Sequence, residues 1–400
     1  MSQSAAYIDQ SKRILISCGE LSGDEHAAHL VEALRKFSPS VQIRAMGGRC
    51  LRAAGVETIV DSETSASVMG FTEVLGSLAK IFRALQTMKA AMRSWKPQVL
   101  ILIDFPDFNF RLAKYASSQG IKVLYYISPQ VWAWRSGRVE FFKKYIDRIA
   151  VIFPFEQPFL ESKGYNKAVF VGHPLPDYLH KRPLRNPADL KKSLGLNNSP
   201  VLAVFPGSRK SEIKRNFAVL LEGLKKFSTK YPLVQIVMNI APSLNEGDFE
   251  NVKAEMGKII LLKENPLDIM SIADAALLKS GTSNLQAAML GLPFAMFYMT
   301  SIISAFLARR LLNIKEYCIV NILQSGTVKE ILQEEATADN ISNELENLFN
   351  NEAYRKQMKD KFKKIADSLL YRGNNSLFES CENTPERTAK LVLELADYDK

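Results

Sequence analysis

The chain has 400 residues, more than one hydrophobic core usually serves, so two domains of roughly 150–200 residues are expected. Its composition, 47% hydrophobic and 24% charged, excludes a disordered chain, a collagen-like fibre and a polytopic membrane protein. Lys and Arg number 52 against 42 Asp and Glu, a formal charge of +10. That excess favours anionic partners (nucleic acid, acidic lipid or phosphorylated small molecules) without choosing among them.

Residues 1–12 are mostly polar, and the apolar run Ile14-Leu15-Ile16 gives way at once to Ser17-Cys18-Gly19-Glu20, so no export signal is expected. Short Val-, Ile- and Leu-rich runs at 14–17, 41–46, 99–103, 123–127, 149–153 and 169–171 predict strands. Between them, 24–37, 75–95 and 110–119 read as helices, the last stopped by Gly120. Strands without polar alternation, separated by helices, predict a parallel sheet covered on both faces. Pro174, Pro176, Pro183 and Pro187, mixed with Lys181, Arg182 and Arg185, then predict a linker. The alternation restarts with strands at 201–205, 234–238, 259–262, 275–278 and 293–298 and a helix over 217–230. Residues 287–308 carry no charge, which is long enough to span a bilayer. Gly291 and Pro293 interrupt them, so a buried strand is expected, then a helix ending in Arg309-Arg310 that is free to lie on a membrane surface. The last fifty residues read as charged helix.

Cys18, Cys50, Cys318 and Cys381 form no CxxC pair, which argues against a disulfide framework or a zinc site and fits a reducing compartment. His26 and His29 share a helix face without a third ligand nearby, so no metal is expected there.

Chemistry in open parallel sheets sits at the carboxyl ends of strands. The first strand runs into Gly19-Glu20-Leu21-Ser22-Gly23-Asp24, a sharp turn where Ser22 or Asp24 can cap the next helix. It is neither GxGxxG nor a Walker loop, which weakens the case for a dinucleotide or ATP. The 99–103 strand runs into Asp104-Phe105-Pro106-Asp107-Phe108-Asn109. Partial desolvation there would raise a carboxyl pKa, so Asp104 suits a general base and a helix cap equally, whereas Asp107 is expected to cap. Trp132, Trp134 and Arg135 follow the next strand: aromatic faces for sugar or acyl groups, or core packing for one of them, and a guanidinium for a phosphate. Pro206-Gly207-Ser208-Arg209 is a glycine-containing basic turn entering a helix, suited to a pyrophosphate. Ser280-Gly281-Thr282 enters another helix, from which a side chain one turn in would reach ribose hydroxyls. Two such helix starts point to a nucleoside diphosphate held without a metal, and no DxD spacing occurs in these loops.

Together these motifs resemble the lipid-A-disaccharide synthase family of inverting glycosyltransferases. The resemblance runs through Gly19-Glu20 with Ser22-Gly23-Asp24, Met69-Gly70 with Glu73-Val74-Leu75, Asp104 with Pro106-Asp107-Phe108-Asn109, and Pro129-Gln130-Val131-Trp132-Ala133-Trp134-Arg135. It continues through Gly172-His173-Pro174, Pro206-Gly207-Ser208-Arg209 with Glu212, Ser280-Gly281-Thr282, and Asn321. Gln286 stands where the family usually carries Glu, Val320 where it commonly has Pro, and Lys329 likewise for Pro.

What the resemblance implies is an α/β fold of GT-B type: two Rossmann-like doubly wound domains facing a cleft, with C-terminal helices. The layout alone also suits epimerases and dehydrogenases. Residues 1–180 would form the acceptor and membrane-facing domain and 181–365 the UDP-sugar domain. Residues 366–400 would pack back on an N-terminal domain, and the family allows a homodimer that exchanges this region. The implied reaction joins UDP-2,3-diacylglucosamine to 2,3-diacylglucosamine 1-phosphate through a β(1→6) bond, with no cofactor and no metal. Asp104 would be the base. Gly207, Ser208, Arg209, Ser280, Gly281, Thr282, Gln286 and Asn321 would bind UDP, and Glu20, Ser22, Gly23, Asp24, Trp132, Arg135 and His173 the acceptor or sugar. The protein would sit peripherally on the cytoplasmic face of a bacterial inner membrane. Residues 68–95, with Val68, Met69, Phe71, Val74, Leu75, Leu78, Ile81, Phe82, Leu85 and Met88 interleaved with Lys80, Arg83 and Lys89, suit an anionic lipid surface or simply packing on the sheet. The competing readings are another UDP-sugar transferase, a UDP-sugar 2-epimerase, or a non-catalytic nucleotide-sugar or lipid binder. A nucleic-acid module is disfavoured, because the basic and aromatic residues cluster at strand ends.

Overall fold

The apolar runs of the sequence become strands buried on both faces, as strands roofed by helices on either side must be. The computed structural model describes residues 11–63, 74–242, 244–249, 252, 255–257, 259–301, 310 and 315–397. It divides into two units, Met1–Asp177 with Leu369–Lys400, and Tyr178–Ser368.

The first unit holds β1 (Arg13–Cys18), β2 (Gln42–Gly47), β3 (Glu57–Asp61), β4 (Val99–Ile103), β5 (Lys122–Tyr126), β6 (Arg148–Val151) and β7 (Ala168–Phe170). They form a parallel sheet in the order β3-β2-β1-β4-β5-β6-β7. The second holds β8 (Val201–Phe205), β9 (Gln235–Asn239), β10 (Ile259–Leu262), β11 (Ala275–Lys279), β12 (Phe294–Tyr298) and β13 (Glu330–Leu332), ordered β10-β9-β8-β11-β12-β13 and also parallel. Two of these strands, β3 and β13, escape the sequence reading. Both are edge strands, and β3 is only partly covered, so neither shows the solid apolar run of a central strand.

The proline cluster is not the extended linker its composition predicts. Pro174–Lys181 and Pro187–Ser193 are helices, each beginning on a proline. At a first helical position proline's missing N–H is no loss and its fixed φ fits the turn, and Asn186 caps the second by accepting from Ala188 N at 2.9 Å. The same rule moves the start expected at 110 back to Pro106, in the helix Pro106–Ser118. The helix expected from 217 begins at Lys210, as Lys210–Lys230. Of the uncharged 287–308 segment, Phe294–Tyr298 is β12, and the helix expected to follow lies outside the described residues. No described helix is long and apolar enough to cross a membrane.

The terminal helix Thr384–Asp397 belongs to the first unit and packs on the helix Leu21–Phe37 and on β4, β5 and β6. Its anchor is Arg387, a buried guanidinium whose Nε donates to Val171 O at 2.7 Å and whose plane lies over Tyr371. Around it, Thr384 N donates to Asp177 Oδ2 at 2.8 Å, and Lys36–Glu386 and Arg148–Glu394 pair at 2.7 and 3.2 Å. Replacing Arg387 with Leu leaves the Val171 carbonyl buried without a donor. Chemical denaturation should show a loss of about 1–3 kcal/mol; an unchanged midpoint would remove Arg387 as the anchor.

Candidate functional site

In each sheet the strand order reverses once, between β1 and β4 in the first unit and between β8 and β11 in the second. Loops at the carboxyl ends of such neighbouring strands part to opposite faces and leave a crevice. The motif residues fall at these two places.

In the first unit β1 leads to Gly19 and Glu20, and β4 leads to Asp104. Asp104 and Phe105 have φ of 52° and 47°, two consecutive left-handed residues with side chains, a conformation costing about 1–3 kcal/mol each. Three hydrogen bonds hold it, two of them part-buried and one buried. The Asp104 carbonyl accepts from Tyr125 OH at 2.6 Å and from Asn109 Nδ2 at 2.7 Å, and Asn109 Oδ1 accepts from the Ser17 hydroxyl at 2.7 Å. The Phe105 ring stacks on Phe108 and lies against Gly19, where a Cβ would come within 2.6 Å of Phe105 Cδ1. With its carbonyl turned inward, Asp104 keeps a half-buried carboxyl at the strand end. Burial raises its pKa, the negative charge of Glu20 raises it further, and the Phe105 N–H partly offsets both. That is the electrostatics of a general base. Helix capping, the other reading of Asp104, is not found: the N-cap residue is Phe105, with no side-chain cap. Asp107 lies inside the first turn rather than ahead of it and pairs with Arg138 at 2.8 Å.

Glu20 and Ser22 are exposed at the start of the helix Leu21–Phe37. Gly23 is buried where a Cβ would meet Cys18 Cβ at 3.3 Å. Asp24 turns away from solvent. Because the helix begins at Leu21, Asp24 falls within it, and it caps another helix, Arg49–Ala53, accepting from Gly48 N and Cys50 N, both at 2.7 Å. Its oxygens are therefore engaged in structure rather than open to a sugar.

The two tryptophans divide their duties. Trp132 is half-buried, edge-to-face with Phe155, and its Nε1 donates to Glu156 Oε1 at 3.2 Å. Trp134 is 39% exposed, with the Arg135 guanidinium 4.3 Å and that of Arg138 5.5 Å from its ring. Phe155 stacks on Phe153, which meets the His173 ring at 5.2 Å, so Trp132 and His173 flank one aromatic patch. His173 Nδ1 accepts from Leu175 N at 3.0 Å, which orients the ring. Burial, with His26 nearby, holds its pKa down to about 3, so it is neutral.

In the second unit, β8 leads into Gly207, whose φ of 121° only glycine adopts readily. Ser208 is exposed. Arg209 is the N-cap residue of Lys210–Lys230; its carbonyl accepts from Glu212 N and Ile213 N while its side chain stays 67% exposed. Beyond β11, Ser280 and Gln286 are half-buried, and Gly281 and Thr282 are exposed at the start of Ser283–Met289. Asn321 stands apart from this group. Its Nδ2 donates to Val328 O and Glu330 Oε1 at 3.0 and 2.8 Å, and its Oδ1 accepts from Thr327 N and Val328 N at 3.0 and 2.9 Å. Those four bonds saturate the amide, so it shapes the 321–328 loop instead of presenting to a nucleotide. The sequence reading passed over Lys279, the last residue of β11, which pairs with the buried Glu212 at 3.0 Å. Its position directly before Ser280 was the available signal. Arg138, three residues after Arg135, was passed over likewise.

A family model described as lipid-A-disaccharide synthetase matches residues 14–379. The lipid-A-disaccharide synthase of Geobacter metallireducens is 38% identical over 388 residues, 96% of this chain and 97% of that one. Lipid-A-disaccharide synthase 1 of Legionella pneumophila is 38% identical over 367 residues, 90% and 94% of the two chains. Among solved structures, a UDP-N-acetylglucosamine 2-epimerase from Rickettsia bellii superposes with a TM-score of 0.64 at 13% identity, covering 97% and 98%. A calicheamicin glycosyltransferase does so with a TM-score of 0.59 at 16% identity, covering 97% and 99%. Two parallel-sheet α/β domains with these neighbours make the fold GT-B-like.

Glu156 supplies a pH test of the aromatic patch. Its carboxyl is buried beneath Trp132 and pushed up to about 7, with the N–H groups of Ile152 and Phe153 opposing the shift. The folded protein then holds a proton that the unfolded chain releases near pH 4.5, so stability falls as pH rises from about 4.5 to 7 and is level above. Relative to Glu156→Gln, the wild type should lose about 3 kcal/mol across that window. Parallel pH profiles for the two proteins would show that Glu156 does not titrate there.

Proposed function

The chain belongs to the lipid-A-disaccharide synthetase family, whose members are glycosyltransferases of lipid A disaccharide synthesis, and we propose that it joins UDP-2,3-diacylglucosamine to 2,3-diacylglucosamine 1-phosphate. UDP leaves, and a β(1→6)-linked disaccharide 1-phosphate forms. The observation that carries the reading is Asp104: a carboxyl of raised pKa on a strained, hydrogen-bonded elbow at the switch point of its sheet. The acceptor 6-hydroxyl attacks the anomeric carbon from the face opposite UDP, and its proton passes to Asp104. The bond from that carbon to the diphosphate breaks, and its electron pair goes to the departing phosphate oxygen. Arg209 and the neutral donors at Ser280–Thr282 offset that charge. The first unit takes the acceptor, with Glu20, Arg135 and the Trp132–His173 patch near it, and the second takes the UDP-sugar, with Gln286 toward ribose.

Substrates with acyl chains require a lipid surface, and the helix Val74–Trp95 supports one in part. Ala84, Leu85, Met88 and Met92 are buried in the sheet's core, while Phe82 is 61% exposed between exposed Lys80 and Arg83. Met69, Gly70 and Glu73 of the sequence motif, with Val68 and Phe71, lie outside the described residues.

Incubation with both acylated sugars should yield the disaccharide 1-phosphate by mass analysis, with UDP release strictly dependent on acceptor. Acceptor-independent release or C2 inversion would favour an epimerase. Asp104→Asn should retain its fold and lose roughly 10²–10⁴-fold in turnover; near-normal turnover would exclude Asp104 as the base. Arg209→Ala should weaken UDP binding. Flotation with anionic vesicles should recover the protein at low salt and lose it at high salt, and failure to float at low salt would count against the surface.

A further inference from the structure

Glu212 lies in the first turn of the helix Lys210–Lys230. Its side chain is buried beneath the Pro206–Arg209 turn, and Oε1 receives the Lys279 ammonium at 3.0 Å and the Arg209 guanidinium at 3.8 Å. Oε2 is buried with no hydrogen-bond partner among the described residues. One carboxylate thus gathers two cations from two different strand ends, leaving a local charge of +1 at the switch point of this sheet.

Lys279 comes to the turn from β11. Its stem passes so close to Gly207 that a Cβ there would meet Lys279 Cδ at 3.7 Å and Glu212 Oε2 at 3.1 Å. Its ammonium rests 4.8 Å from the Tyr298 ring centroid at the end of β12, and its side chain is 18% exposed. An ammonium held between a carboxylate and an aromatic face loses much of its rotamer freedom before any ligand arrives, which lowers the entropy lost on binding.

We propose that Lys279 is a ligand of the nucleoside diphosphate, and that Glu212 is the positioning residue that holds Lys279 and Arg209 together beneath it. The inference rests on the UDP-sugar reading and deepens it: the departing diphosphate meets a pair of cations rather than Arg209 alone. The pair opposes charge that grows on the leaving oxygen, so it acts more on the transition state than on bound substrate.

Calorimetric titration of the full chain with UDP, at fixed ionic strength, tests this. Lys279→Met should bind UDP roughly 10–100-fold more weakly, the worth of one charge-assisted bond, and Lys279→Arg should recover most of the affinity. Glu212→Gln gives a test of sign. Removing a negative charge should tighten anion binding if Glu212 acts only through its field, and should weaken it if Glu212 positions the cations. Weaker binding is expected, together with a larger loss in kcat/KM for the donor than in UDP affinity. Should Lys279→Met not fold, the double variant Glu212→Gln with Lys279→Met leaves no unpaired buried charge and reads the same contact. Wild-type UDP affinity in a folded Lys279 variant overturns the role of Lys279, and tighter UDP binding by Glu212→Gln overturns that of Glu212. If the wild type itself does not bind UDP, the UDP-sugar reading fails and takes this inference with it.

Discussion

The Asp104–Phe105 elbow is the constraint from which the first unit's site is built. Two consecutive residues with side chains sit at positive φ, and such a backbone persists only where its surroundings over-determine it. Here the surroundings are identifiable. Tyr125 and Asn109 both donate to one carbonyl, Ser17 fixes Asn109, and Gly19 leaves room for the Phe105 ring. Tyr125 comes from β5, Asn109 from the helix Pro106–Ser118, and Ser17 from β1. The orientation of Asp104 is therefore a property of three elements and not of its own loop.

The two units use the same topological break for opposite electrostatics. In the first, Glu20 and Asp104 follow the ends of β1 and β4, the charge of Glu20 raises the Asp104 pKa, and His26 and His173 are held neutral by burial. In the second, Arg209 and Lys279 share one carboxylate. A sheet end with raised carboxyl pKa suits proton acceptance, and one with surplus positive charge suits a phosphate. The chain's overall charge of +10 says nothing about this partition, which arises from which residues terminate β4 and β11.

Much of this was legible in the sequence, because central parallel strands are solid apolar runs: 99–103 and 201–205 correspond residue for residue to β4 and β8, and the edge strand β10 was legible at 259–262 because Ile259-Ile260-Leu261-Leu262 is wholly apolar. The edge strands β3 and β13 were not legible, since Glu57–Asp61 mixes polar with apolar residues and Glu330–Leu332 is only three residues long. Proline misled twice, once as linker and once as a late helix start, because its role at a first helical turn depends on what precedes it. At the site, the motif positions of Asp104 and Arg209 were readable. The use of Asp24 and Asn321 was not, because a side chain whose hydrogen bonds close inside the fold has the same letter as one that faces a ligand. Lys279 was missed for another reason: it falls between the strand read at 275–278 and the Ser280-Gly281-Thr282 motif and was assigned to neither.

Hydrogen-bond occupancy also separates the carboxylates of the first unit by role. Asp24 and Glu156 are both buried, but Asp24 accepts three backbone N–H groups and Glu156 two with an indole N–H. Taking a proton from a substrate would cost either of them these bonds, and neither is open to a hydroxyl. Asp107 is exposed and its carboxylate is engaged by Arg138. Glu20 is exposed at the start of its helix. Asp104 is half-buried, its carbonyl rather than its carboxyl takes the structural hydrogen bonds, and Glu20 raises its proton affinity from nearby. Among these acids, Asp104 alone combines access with an incentive to accept a proton.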